Sequence, residues 1–268
     1  MPPQDRSRAQ AAAQFLLDAH ASRAPFGALP AAVAPRSIAE AYDAQDAFVA
    51  RLATRHGARA GWKIALATPK MQQMVGLDRP IAGQVLAGQV HRSPARVRGA
   101  DYGRLIAEFE IAVELGADLP ARAAPYEAHE VAAATATLRP ALELADDRQA
   151  DYAGLAARGF ELVAENAWNA GVVLGEPCVA WREIDLPTLR GVASINDAVV
   201  GEGTGADAMG HPFRVVAWVA NHLSSRGQGL RAGEFVITGS LVTSKFPLAG
   251  DRVRFDAGAL GDVLLQVD

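Results

Sequence analysis

Apolar residues recur at helical spacing in two early stretches. In 7–21 they are Ala13, Phe15, Leu16, Leu17 and Ala19; later they are Ile38, Ala41, Tyr42, Phe48, Val49 and Leu52, up to about Arg55. Ser37-Ile38-Ala39-Glu40 is a capping-box pattern opening the second helix, and Gly57 ends it. The Gly/Pro/Ala stretch from Pro25 to Pro35 reads as a linker. From residue 61 the period shortens. GWKIALA, 61–67, reads as a strand; LIAEFEIAVELG, 105–116, alternates as a long strand; ALELA, 141–145, is another. Segments 170–175, 191–200, 234–238, 252–255 and 263–267 are also strand-like. Between them fall one or two helical turns in PKMQQMVGL and a loop carrying Pro80, Gly83, Pro94 and Gly99. Helices are expected from Pro125 to about Thr137, over 155–164, and from His211-Pro212 to near Gly227, the last carrying Val215, Val216, Val219 and Leu223. Strands with helices spaced irregularly point to an α+β fold, not to repeated βαβ winding.

Composition narrows the class. Half of the 268 residues are hydrophobic, enough for a sizeable core. A net charge of −4, with arginines scattered, argues against nucleic acid or an anionic membrane as partner. The arginines of 92–104 are interrupted by Pro and Gly and read as a solvated loop. No segment approaches a membrane span, and Asp5 and Asp18 break the N-terminal stretch, which reads as an amphipathic helix and not a signal peptide. Cys178 is the only cysteine, so no intrachain disulfide forms; this fits a reducing, cytoplasmic setting, with Cys178 as a core residue.

Four residues carry candidate chemistry. Glu108 and Glu110 share one face of the 105–116 strand, roughly 7 Å apart, while Phe109, Ile111 and Val113 point the other way. A divalent cation would relieve both their repulsion and their burial; a solvated edge face, extended by Glu114, is the alternative. Glu143, between Leu142 and Leu144, needs compensation if its strand is buried. It can serve as third ligand or pair with Arg139 or Arg148, whereas Asp146 and Asp147 look like turn residues. Lys63, between Trp62 and Ile64, either snorkels to the surface or stands in a pocket as a proton carrier. GEGTGADAMG, 201–210, lacks the dinucleotide fingerprint and reads as a tight loop. ITGSLVTSK, 237–245, offers hydroxyls and backbone N–H groups on a Gly turn, suited to a carboxylate, or is an ordinary loop.

In order along the chain, GWKIALATPKMQQMVGLDRPIAG, AEFEIAVELGADLP, RPALELADDR, AENAWNAGVVLG, GEGTGADAMGHP and RAGEFVITGSL resemble the 2-keto-4-pentenoate hydratases and 4-oxalocrotonate decarboxylases of the fumarylacetoacetate hydrolase superfamily, from about residue 37 to the end. The resemblance implies a mixed β-sandwich roll over 81–268 with a small, mainly helical N-terminal lobe, 1–80. It implies Mg²⁺ or Mn²⁺ on Glu108, Glu110 and Glu143, and a small 2-oxo acid chelating that metal. Lys63 matches the family's pocket lysine, and Thr238, Gly239 and Ser240 match the loop at the substrate carboxylate. The implied reaction is hydratase-type lyase chemistry in aromatic catabolism, by a homo-oligomer that can associate with another enzyme of its pathway. Decarboxylation of a 2-oxo dicarboxylic acid, acylpyruvate hydrolysis and a non-catalytic partner subunit are the alternatives. Several pocket positions depart from the pattern. Ile81 stands where the hydratases carry Asp and the decarboxylases an apolar residue. Ala65-Leu66-Ala67 replaces G-L-T, Glu165 replaces Asp, and bulky Trp168 replaces a small hydroxyl residue. Glu165 is the candidate replacement base, or else an internal salt bridge.

Overall fold

A computed structural model describes residues 3–268. Helices α1 (Pro3–Ala21) and α2 (Ile38–His56) come first. Ser37 Oγ accepts the Glu40 N–H at 3.2 Å, as the capping pattern requires. The Glu40 carboxylate, however, takes the N–H of Arg36 in place of that of Ser37, so the box is half-formed. Gly57, at φ 79°, closes the helix. Then follow β1 (Arg59–Ala65), α3 (Pro69–Met74), β2 (Ile81–Leu86), β3 (Val90–Arg92), β4 (Ala95–Val97), β5 (Leu105–Leu115), α4 (Ala128–Ala134), β6 (Thr135–Asp146), α5 (Gly159–Ala164), β7 (Asn169–Leu174), β8 (Arg190–Ile195), β9 (Ala198–Thr204), α6 (Pro212–Ser225), β10 (Phe235–Ile237), β11 (Val242–Lys245), β12 (Arg252–Asp256) and β13 (Asp262–Val267).

Eight strands form a mixed sheet in the order β2-β1-β10-β5-β6-β7-β3, with β11 on the other half of β5; the remaining five form β4-β13-β12-β8-β9. The larger sheet turns Trp62, Phe109, Ile111 and Leu142 towards the smaller sheet and α6, whose Phe255, Val263, Val215 and Val219 complete the main core. Its other face curls inward. Asn166 and Asn169, just before and at the start of β7, reach the backbone of Gln84 on edge strand β2 with three hydrogen bonds of 2.7–2.8 Å. These side chains draw the sheet into a roll. One end of its interior is plugged by Val85, Ala112, Ala141, Val172, Phe235 and Ile237. The helical pair has its own cluster, built on Leu16 and Phe48, which reaches Leu86 and Ala164. Strand β1, inside the 1–80 stretch, pairs with β2 and β10 and so belongs to the large sheet.

The structure corrects five expectations. The region from Pro80 to Gly99 is not a loop but holds β2, β3 and β4. β2 is buried on both faces, so it shows no alternation. Its Gly83 looked like a breaker, yet a Cβ there would stand 3.0 Å from the Asn166 carbonyl oxygen and 3.1 Å from Lys63 Cγ. The helix after Pro125 ends at Ala134, because β6 already starts at Thr135 and runs the full length of β5. Segment 191–200 is a hairpin, turned at Asn196 and Asp197 with φ 51° and 67°, and Gly201–Thr204 belongs to β9 instead of a loop. Segment 237–245 is not all loop, since Val242–Lys245 forms β11; a Cβ on Gly203 would collide with the Leu241 carbonyl just ahead of that strand.

Among the described residues no helix is long and apolar enough to cross a membrane. On α6, His222 stacks on Trp218 at 5.3 Å and leans on Tyr42 at 4.5 Å. Burial, with help from Arg226, pushes its pKa down to about 4. The unfolded chain binds that proton near pH 6.5. Stability from neutral His222 is therefore intact above pH 6.5 and is lost as pH falls towards 4, by up to about 3 kcal/mol. Urea titrations at pH 7 and 4.5 should show this loss, and His222→Phe should reduce it.

Candidate metal centre

Strands β5 and β6 pair in a register that sets Glu108 directly opposite Glu143. Glu110 lies two residues along on the same face, so all three carboxylates enter the roll. One oxygen from each lies within 4.8 Å of the others. Glu110 and Glu143 are completely buried, while Glu108 is half-buried. The edge-strand alternative is thereby excluded for the pair; Glu114 takes no part and bonds Arg139 and Thr137 instead.

Each carboxylate is held, yet none is saturated. Gly239 N–H donates to Glu110 Oε2 at 2.6 Å, and Ser244 Oγ donates to Glu108 Oε1 at 2.6 Å. Lys63 Nζ lies 2.5 Å from Glu143 Oε1, a buried ion pair. Glu110 Oε1 and Glu143 Oε2 are buried with no hydrogen-bond donor. Burial and the neighbouring charges of Glu143 and Glu108 drive the Glu110 pKa far above the carboxylate range. Burial pushes Glu143 up to about 7, against the pull of Lys63. Burial also works against the Lys63 ammonium, but Glu143, Glu108 and Glu110 together hold its pKa above the ordinary lysine value. Three hard oxygen donors, unpaired oxygens and a charge excess of two negatives fit a divalent cation such as Mg²⁺. Lys63 does not snorkel; it is 3 % exposed and belongs to the cluster.

Within the chain, the Thr238–Ser240 turn holds the carboxylate of Glu110. Gly239, at φ 88°, aims its N–H there. Thr238 Oγ1 donates to the Ile111 carbonyl, while Ser240 Oγ accepts from Phe109 N–H and donates to the Val242 carbonyl. Both hydroxyls thus fasten the turn to its neighbouring strands. Leu66, Ile81 and Trp168 meet in one apolar cluster with Phe26. Register puts Ile81 on the same face as Lys63, two residues beyond its partner Gly83. Glu165 is the internal salt bridge: its oxygens take Arg148 Nε at 2.8 Å and Nη2 at 2.5 Å, and His20 Nε2 stands 3.3 Å away. Because Arg148 is buried, Glu165→Ala should lower unfolding free energy by about 3 kcal/mol in urea titrations. A base without a partner would leave stability nearly unchanged.

Sequence reasoning did not single out Ser244, Asn166, Asn169 or the group around Asp147. Asp146 does cap a turn, accepting from Gly103, Arg104 and Arg148 N–H groups. Asp147 does more: buried, it takes Arg104 and the Tyr152 hydroxyl. An aspartate beside a turn carries no local mark of such partners.

Fold and site together define a cluster of three carboxylates, able to hold a divalent cation, carried inside a curled mixed sheet. Residues 79–268 match the fumarylacetoacetate (FAA) hydrolase C-terminal family, and the chain belongs to that family. A 2-keto-4-pentenoate hydratase of Burkholderia vietnamiensis is 34% identical over 181 residues, 68% of this chain and 67% of that protein. A 4-oxalocrotonate decarboxylase of Pseudomonas sp. (strain CF600) is 31% identical over 220 residues, covering 81% and 80%. The structure of 4-oxalocrotonate decarboxylase from Pseudomonas putida G7 complexed with magnesium and adipate superimposes with a TM-score of 0.88 at 26% identity, covering 98% of each chain.

Proposed function

We propose that this protein is a divalent-metal-dependent lyase of hydratase type, acting on a small 2-oxo acid of the 2-hydroxypenta-2,4-dienoate kind in aromatic catabolism. The observation that carries the reading is the buried Glu108–Glu110–Glu143 cluster with Lys63 against it; hydratases among the relatives support it. The three glutamates would hold Mg²⁺ or Mn²⁺. When bound, such an ion supplies the Lewis acidity that polarises a 2-oxo group. Lys63 holds a proton beside Glu143 and passes it to or from the substrate carbon as the dienol ketonises. Gly239 and Ser244 keep Glu110 and Glu108 oriented. The apolar residues Leu66, Ile81 and Trp168 would flank the substrate's tail, beyond its reacting carbons. Overall, water adds across the conjugated alkene to give 4-hydroxy-2-oxopentanoate. The proposal includes a cytoplasmic homo-oligomer, able to associate with another enzyme of the same pathway.

A second reading is decarboxylation of a 2-oxo dicarboxylic acid; it is favoured by buried, apolar Ile81 in place of a water-handling carboxylate. Acylpyruvate hydrolysis has less support, since the His20–Glu165 contact has its carboxylate held by Arg148. The test offers the protein, with Mg²⁺ or Mn²⁺, 2-hydroxypenta-2,4-dienoate, 2-oxohex-3-enedioate and acetylpyruvate. Metal-dependent formation of 4-hydroxy-2-oxopentanoate is expected. CO₂ release from the dioate alone would shift the assignment to decarboxylase. No turnover, with no metal-dependent thermal shift, would leave a non-catalytic subunit.

A further inference from the structure

We propose that Trp168 sets the substrate range of this site by closing the mouth of the roll, so that the bound 2-oxo acid carries a short, uncharged tail. This rests on the reading of the glutamate cluster as a 2-oxo acid site. It starts from the backbone. Asn166, Ala167 and Trp168 have φ of 62°, 52° and 60°, three successive left-handed residues, none of them glycine. Side chains disfavour that conformation, and it persists only where its surroundings over-determine it. Here they do. Arg148 clamps Glu165 just before the turn, and both ends of the Asn166 amide are bonded to Gln84. The turn therefore delivers the indole to one fixed place.

That place adjoins Ile81, beside the interior face that carries Lys63. Trp168 stands edge-on to Phe26 at 5.2 Å, and its ring centroid is 6.3 Å from that of Tyr152. It shares an apolar cluster with Leu66 and Ile81, and Ile81 lies on the Lys63 side of β2. A substrate held at the glutamates thus meets an apolar wall beyond its reacting carbons. In that wall Trp168 Nε1 is buried and has no acceptor. A buried donor without a partner is unfavourable, and a neutral oxygen on the ligand would satisfy it.

Charge decides the rest. Three carboxylates and Lys63 sum to −2, which a divalent cation neutralises; the substrate's own carboxylate then leaves −1. A second carboxylate would need a free cation nearby. Two guanidiniums near Trp168 and Tyr152, Arg148 and Arg104, are both engaged. Arg148 spans both oxygens of Glu165, and Arg104 Nε contacts both oxygens of Asp147.

The test is calorimetric binding of 2-oxopentanoate, 4-hydroxy-2-oxopentanoate and 2-oxoadipate to the Mg²⁺-loaded protein. The wild type should bind the two monoacids at least about tenfold more tightly than 2-oxoadipate. Trp168→Phe keeps a ring but removes the N–H, and should weaken only the 4-hydroxy compound, by about fivefold. Trp168→Ser opens the mouth to water and should bring 2-oxoadipate to within about threefold of 2-oxopentanoate. Equal or tighter binding of 2-oxoadipate by the wild type overturns the proposal, as does an unchanged ratio in folded Trp168→Ser. If that variant does not fold, the wild-type ratio and Trp168→Phe decide. Binding of Mg²⁺ with no binding of any 2-oxo acid would instead overturn the parent reading.

Discussion

Glu110→Gln is expected to weaken Mg²⁺ binding by at least about a thousandfold and, at the same time, to make the metal-free protein more stable. Glu110 is completely buried, and its Oε1 has no donor. Its carboxylate is kept in the roll by one N–H, that of Gly239. Without a cation, burial and the Glu143 and Glu108 charges oppose its ionised form. A neutral amide of the same shape removes that penalty and also a ligand charge, so the two effects have opposite signs. Gln can still accept the Gly239 N–H through its carbonyl oxygen, which preserves the turn. Titration calorimetry measures the first effect, and urea denaturation in chelator, expected to gain about 1–2 kcal/mol, the second. Retained stoichiometric metal would remove Glu110 from the ligand set. A less stable metal-free variant would show that the buried charge is compensated by something else.

Lys63→Met should lower kcat by about a thousandfold while leaving Mg²⁺ bound. The side chains have similar length, so the stem packed against Gly83 survives. What disappears is the proton and the positive charge beside Glu143. Loss of that charge strengthens the cluster's attraction for a cation. The metal-free variant should lose stability, by about 3 kcal/mol, because a buried carboxylate loses its partner. Metal should restore most of it. A variant that keeps near-normal kcat would reduce Lys63 to a structural counter-ion and move the proton transfer to another group.

The glutamates were legible because strand periodicity is local: Glu108 and Glu110 share a face whatever surrounds them. Glu143 showed only that its burial required a partner; the register of β5 and β6 supplied Glu108 as its neighbour. The family motifs chose between the readings that the residues had left open for Glu143 and Lys63. Residues whose roles depend on distant chain were not legible. Asn166 reads as a loop polar residue until β2 arrives beside it. Gly83 looks like a break in structure until Lys63 and Asn166 crowd it from two sides. Asn196-Asp197 did carry a local turn signal, and the strand reading ran through it.

One arginine links several of these parts. Arg148 follows Glu143 by five residues, and its Nη1 reaches the Ala24 carbonyl while its own carbonyl accepts the Phe26 N–H. With Glu165 on its other nitrogens, it stitches the N-terminal linker to the end of the strand that carries Glu143 and to the Trp168 turn. The lobe and the roll therefore have no independent opening route through this seam. An ion that binds only the closed roll suppresses opening of both, in proportion to its saturation. Amides at the end of α1 and in the linker should exchange hydrogen more slowly when Mg²⁺ occupies a site they never touch.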